Sequence, residues 1–339
     1  MHPAAGFASM ALDQCRARTM LKTISYNVLV LFVLANVLFW SIPAVTLISD
    51  LIKGKSETGR YEFRSFLGWR NALRETINPN TADDRKVYFF GGSTMWGIGS
   101  LDARSTIPSQ FAAATKVRSE NYGEIGYTAH QSLVQLLQML QAGHRPSLVV
   151  FYDGVNDVAI KCERGLTPES HGQEQEIAAL LRGSDSPSSF AYYLKPVMRL
   201  AQRISSQLSK SLSVSPYDCD TDRKKAEAIA ENLIQDWQFA KMLTESFGGK
   251  FIGVLQPVSY LSKTRLDHLN RPVGLDRQYQ TVYPLIREKI AKGDQFNDLT
   301  SALDVDEKIY IDYNHITPKG NEIVAGKIVE IAKPALAER

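Results

Sequence analysis

Ser93 stands in Gly91-Gly92-Ser93-Thr94-Met95-Trp96-Gly97, directly after the apolar run Val87–Phe90. A serine hydroxyl attacks a carbonyl only when a neighbouring base takes its proton, so it has to be held out on a sharp turn. Glycines ahead of the serine permit that turn, because they tolerate backbone angles that other residues avoid. Thr94-Met95-Trp96 suits the opening of a helix, whose first N–H groups favour an anion. A phosphate loop would need Lys and then Ser or Thr after Gly97, where Ile98-Gly99 stand. The nucleophile elbow of α/β-hydrolases would need glycine at the position of Met95. A plain glycine-rich turn is the competing explanation, and the segment alone does not decide between them.

A second stretch, Asp312-Tyr313-Asn314-His315, lies between the short apolar run Ile309–Ile311 and a helix opened by Thr317-Pro318. Three-residue spacing lets one carboxylate and one imidazole converge, so that the acid fixes the ring tautomer and stabilises the imidazolium. As metal ligands the pair would need partners, and no His-Glu-x-x-His or similar cluster occurs. No metal and no cofactor are therefore expected. Gly154-Val155-Asn156-Asp157 follows a third apolar run. An amide there can donate to a developing oxyanion, and an Asn-Asp turn is the bland alternative. Gly126, just ahead of a helical stretch, offers a backbone N–H. Trp96 is read as core more readily than as pocket lining, Asp157 as a loop fastener or turn residue, and Gln256 as strand-end punctuation or part of a cleft.

The elements that must position these groups follow from hydrophobic periodicity. Strands are expected at Val87–Phe90, Ser147–Tyr152, Phe251–Leu255 and Ile309–Ile311. Helices are expected at Ala129–Leu140, Lys225–Phe247 and Thr317–Ala332, the last capped by Thr317 with Pro318 in its first turn. Strands alternating with helices predict a mostly parallel sheet covered on both faces. Ligands of such folds bind beyond the carboxyl ends of the strands, where every candidate group falls. Residues 161–221 interrupt the alternation with polar, serine-rich sequence and read as an insertion near the site, a candidate lid.

In this order, Ser93, Gly126, Asn156 and Asp312-x-x-His315 resemble the blocks of the SGNH (GDSL-like) hydrolase superfamily, over roughly residues 85–335. The resemblance implies a three-layer α/β/α, flavodoxin-like sandwich with a mostly parallel sheet. It also implies a catalytic triad of Ser93, His315 and Asp312. The oxyanion hole would come from the N–H groups of Ser93 and Gly126 and the side chain of Asn156. Gly92 departs from the family pattern, which has aspartate there. The Gly-Gly-Ser-Thr form is similar to bacterial proteins that act on envelope or exported polysaccharides. It implies an esterase removing O-acyl, chiefly O-acetyl, groups. The alternatives are an O-acyltransferase working with a membrane acyl-donor protein and a non-catalytic assembly subunit.

The chain has 339 residues, 44% hydrophobic and 22% charged, with a net charge of +3. No basic block accompanies that near balance, so nucleic acid is not an expected partner. The expected partners are an acylated glycan or other ester and the membrane. No charge occurs from Thr23 to Ser49. At ~1.5 Å per residue that stretch exceeds the roughly 30 Å hydrocarbon core of a bilayer. The expected organisation is a tail at 1–22, a transmembrane anchor at 23–50, a connector at 51–84 and the catalytic domain at 85–335. Arg16, Arg18 and Lys22 precede the span while Lys53, Lys55, Arg60 and Arg64 follow it, which mildly opposes an external domain. Cys162 and Cys219, which bracket the insertion, argue the other way if bridged, because disulfides persist in oxidising compartments. Two separate buried thiols are the alternative. The expectation is a single-pass cell-membrane protein with an extracytoplasmic domain.

Overall fold

The structure is a computed structural model and describes residues 26–34, 62–64, 68–70, 75–174, 215–293 and 296–337. The chain divides into two units, residues 1–58 with 184–212, and residues 59–183 with 213–339. Of the first, the described part is one helix, α1 (26–34), whose apolar side chains, Val28 to Leu34, are exposed. The rest of the anchor expected over 23–50 lies outside the described residues. Among those described, no helix is long and apolar enough to cross a membrane.

The second unit begins with a short antiparallel pair, β1 (Glu62–Arg64) and β2 (Gly68–Arg70). Its centre is a parallel sheet of β3 (Lys86–Gly91), β4 (Arg118–Asn121), β5 (Leu148–Asp153), β6 (Lys250–Leu255) and β7 (Asn297–Asp298), in the order β4-β3-β5-β6-β7. The helices of this unit are α2 (Ser93–Trp96), α3 (Ile107–Thr115), α4 (Ala129–Gln141), α5 (Val155–Lys161), α6 (Arg223–Ser246), α7 (Leu275–Gly293) and α8 (Pro318–Ala337). Side chains alternate across a strand, so each central strand feeds two cores. Tyr88, Phe90, Val149, Phe151 and Phe251 pack with Leu136 of α4, Leu233 and Trp237 of α6, and Tyr279 and Ile286 of α7. Val87, Phe89, Val150, Tyr152, Ile252 and Val254 pack with Ile107 and Phe111 of α3 and Val324 and Ile328 of α8. This is the parallel sheet covered on both faces that the periodicity predicts, in the three-layer α/β/α arrangement that the resemblance implies. It also explains why the central strands read as unbroken apolar runs, since both of their faces are covered.

Two expectations need correction. Ile309–Ile311 is not a strand of the sheet. Tyr310 instead makes an isolated bridge to Ile316, and hydrogen bonds from Ile311 N to His315 O (2.9 Å) and Thr317 N to Ile309 O (2.8 Å) close residues 309–317 on themselves. The apolar side chains of Ile309 and Ile316 are buried in the core between the sheet and helices α3 and α8, which satisfies them without sheet pairing. The last strand is β7, only two residues long. Helix α8 also continues past Ala332 to Ala337, through Pro334.

Cys162, at the end of α5, is bonded to Cys219, just before α6, and both are fully buried. The bridge joins positions 57 residues apart. It ties off the base of the insertion, alongside a bridge between Glu163 and Tyr217. Closing a loop of that length withdraws roughly 4 kcal/mol of entropy from the unfolded chain. Residues 175–214, the main part of the insertion read as a candidate lid, lie outside the described residues.

Candidate active site

The chain steps from β3 to β4 on one side and then to β5 on the other side of β3. The crevice between the carboxyl ends of β3 and β5 is thus the switch point where α/β sheets bind ligands. Ser93 follows β3 and Asn156 follows β5, so the topology itself puts both at that crevice.

Ser93 is the first residue of α2, held after Gly92 as its N-cap. Its Oγ lies 2.6 Å from His315 Nε2, and His315 Nδ1 lies 2.5 Å from Asp312 Oδ2. With Nδ1–H donated to the carboxylate, Nε2 keeps its lone pair for the serine proton. The backbone N–H groups of Asn314 (2.9 Å) and His315 (2.8 Å) donate to Asp312 Oδ1 and fix the carboxylate from behind. Burial pushes the Asp312 pKa up, but the His315 ring and these two backbone donors outweigh it and hold the group below its ordinary 3.8.

Asn156 Nδ2 donates to Tyr127 O at 2.8 Å, which leaves the second amide hydrogen for another acceptor. The amide lies against Gly92, and a Cβ built on Gly92 would collide with Asn156 Nδ2. The missing side chain at position 92 is therefore a packing requirement in this chain, and an aspartate would not fit without moving the amide. Gly126 directly precedes Tyr127 and has φ +76°, a left-handed conformation that favours glycine. Among the described residues no protein group accepts the N–H of Ser93 or of Gly126. Ser93 Oγ thus has an imidazole placed to take its proton, and the Asn156 amide lies beside Gly92, next to the serine, with one hydrogen to donate.

Gln256 is buried, and its Nε2 donates to Thr94 Oγ1 at 3.0 Å. Thr94 Oγ1 in turn reaches Asn314 O at 3.4 Å, a long contact that joins α2 to the loop carrying His315. Tyr283 OH donates to Gln256 O (3.0 Å) and Ser259 N to Tyr313 O (2.9 Å), which braces that loop further. Asp157 is fully buried and fastens the start of α4, so it is no simple turn residue. Trp96 is half-buried, and Asn121 Nδ2 donates to the carbonyl of Met95 beside it at 2.9 Å. Thr94, Tyr127 and Asn314 support the site without a signal in the sequence. Their roles rest mainly on carbonyls and a short hydroxyl, which leave no spacing signature. His130 pairs with Asp236, and His144 with Tyr88. Among the described residues no group of three or more His, Cys, Asp and Glu side chains is placed to hold a metal.

No protein-family model matches the chain, and no curated protein matches it in sequence. Solved structures with a similar course of chain include a member of the lipolytic protein G-D-S-L family from Veillonella parvula. It is 13% identical, with 74% of this chain and 98% of that one covered and a TM-score of 0.44. The acetyl xylan esterase AlAXEase is 16% identical over 73% of this chain and 98% of its own, with a TM-score of 0.43. A carbohydrate acetylesterase family member from Sinorhizobium meliloti is 16% identical over 75% and 99%, with a TM-score of 0.38. At such identities and scores the functional reading rests on the chain's own geometry.

Proposed function

We propose that this chain is a membrane-anchored serine esterase that removes O-acyl groups, chiefly O-acetyl, from an envelope or exported polysaccharide through an acyl-serine. The observation that carries the catalytic reading is the continuous relay from Ser93 Oγ to His315 Nε2 (2.6 Å) and from His315 Nδ1 to Asp312 (2.5 Å). His315 takes the hydroxyl proton as Ser93 attacks the acyl carbonyl. The oxyanion is stabilised by the N–H groups of Ser93 and Gly126 and the free amide hydrogen of Asn156. Imidazolium then protonates the departing sugar oxygen, and water, deprotonated by the same ring, releases the acid.

The polysaccharide class is supported by the Gly-Gly-Ser-Thr form of the serine motif. The anchor is supported by the charge-free stretch Thr23–Ser49 and by the exposed apolar side chains of α1. An extracytoplasmic domain is supported by the Cys162–Cys219 bridge, which a reducing cytosol would not preserve. A non-reducing peptide map of native protein that finds both thiols free would contradict that location.

The full-length protein in detergent, given an O-acetylated oligosaccharide, is expected to release free acetate. Acetyl appearing on an added acceptor sugar with no free acetate would make the chain a transferase, and neither product would end the catalytic reading. Gly92→Ala tests the amide donor. The added Cβ has to displace Asn156, and kcat/KM is expected to fall by roughly 10²- to 10³-fold, the usual cost of losing one oxyanion donor. Wild-type kcat/KM in a folded Gly92→Ala protein would remove Asn156 from the mechanism.

A further inference from the structure

We infer that Asp157, its buried charge balanced by Lys161, is a positioning residue that sets the spacing between the two oxyanion donors contributed by separate elements, Asn156 on α5 and Gly126 ahead of α4; the inference rests on the esterase reading. The two donors belong to different segments, so something has to hold α5 against the residues 126–129. Two adjacent side chains of α5 do so. Asn156 Nδ2 donates to Tyr127 O at 2.8 Å, and both Asp157 oxygens accept from Ala129 N at 3.3 Å. Ala129 opens α4, where the first N–H groups have no partner inside the helix. The carboxylate satisfies one of them without water.

That carboxylate is buried, and a buried charge is tolerated only when paired. Lys161, one turn along α5, supplies the pair, with Nζ 2.9 Å from Asp157 Oδ1 and both side chains 1% exposed. Asp153, at the end of β5, is buried nearby and receives Trp237 Nε1–H at 3.0 Å. Burial, then the Asp157 charge, hold the Asp153 pKa well above the usual carboxylate range. The sequence Gly154-Val155-Asn156-Asp157 therefore carries an oxyanion donor and its fastener side by side. Lys161 lies beyond the motif, at a spacing that only a helix brings back to Asp157.

Two full-length double variants separate positioning from simple stability. D157N/K161M and D157A/K161M both abolish the ion pair, but only the first keeps an acceptor for Ala129 N–H. Amide exchange over 126–129 is expected to be roughly 10-fold faster in D157A/K161M than in wild type, with β5 unchanged. Its kcat on an acyl ester is expected to fall by roughly 10- to 100-fold with KM little altered. D157N/K161M is expected to restore most of both quantities. Equal exchange and equal kcat in the two variants would overturn the inference, as would faster exchange spread evenly over the sheet. If wild type turns over no ester while the exchange pattern appears as expected, the esterase reading falls and the fastener stands.

Discussion

Ser93→Ala is expected to lower kcat for acyl-ester hydrolysis by roughly 10⁴- to 10⁶-fold, because the nucleophile and its base act as one unit. Alanine removes the oxygen that lies 2.6 Å from His315 Nε2 and leaves the Nδ1–Asp312 bond in place. The loss of one partly exposed hydrogen bond costs only about 1 kcal/mol of stability, so the melting temperature is expected to stay within a few degrees. What remains is the roughly 10³- to 10⁴-fold rate over water that binding and oxyanion donors provide unaided. The measurement is steady-state hydrolysis of 4-nitrophenyl acetate by wild type and variant at matched folded concentration. Comparable rates would mean that another group performs the attack.

Asp312→Asn is expected to cost roughly 10³- to 10⁴-fold in kcat, through the tautomer of His315. The backbone N–H groups of Asn314 and His315 donate to one carboxylate oxygen, so an asparagine settles with its own oxygen there. Its NH2 then faces His315 Nδ1, the ring proton moves to Nε2, and Nε2 can no longer accept from Ser93. A kcat within tenfold of wild type would contradict this account of the aspartate. The same residue sets a pH dependence of stability. Its folded pKa lies below the ordinary 3.8, so its contribution is present above that value and is lost as pH falls through the folded one. The melting-temperature difference between wild type and Asp312→Asn is expected to be full above about pH 5 and to fade at lower pH. A difference that grows on acidification would reverse the sign of the assigned shift.

The sequence carries the middle of the sheet more clearly than its edges. Val87–Phe90, Leu148–Tyr152 and Phe251–Leu255 are covered on both faces, and continuous apolar sequence is the direct consequence. Strand β4 is Arg118-Ser119-Glu120-Asn121, an edge strand without an apolar residue, whose buried Ser119 is held on its outer side by Asn78. Nothing in its composition distinguishes it from a loop. Ile309–Ile311 shows the opposite failure, since apolar residues that close a loop on itself look like a strand. In the site, Ser93, Asn156 and Asp312-x-x-His315 were legible through their order along the chain, since each type alone is common in turns after strands. The bridge between Cys162 and Cys219 was one of two open readings, decided by the return of the chain to the end of α5. Gln256 stands directly after β6, as strand-end punctuation would, but its bond to Thr94 was not legible, because a strand-end amide reads alike whether it faces a cleft or braces a neighbour.

A trapped intermediate tests the central proposal most directly. Wild-type protein quenched within its first turnovers of 4-nitrophenyl acetate, digested and examined by mass spectrometry, is expected to carry one acetyl group on the peptide containing Ser93, and the label is expected to vanish in Ser93→Ala. Acetyl found on a different residue, or steady hydrolysis with no acylated peptide under conditions where deacylation is slowed, would contradict a serine nucleophile at position 93.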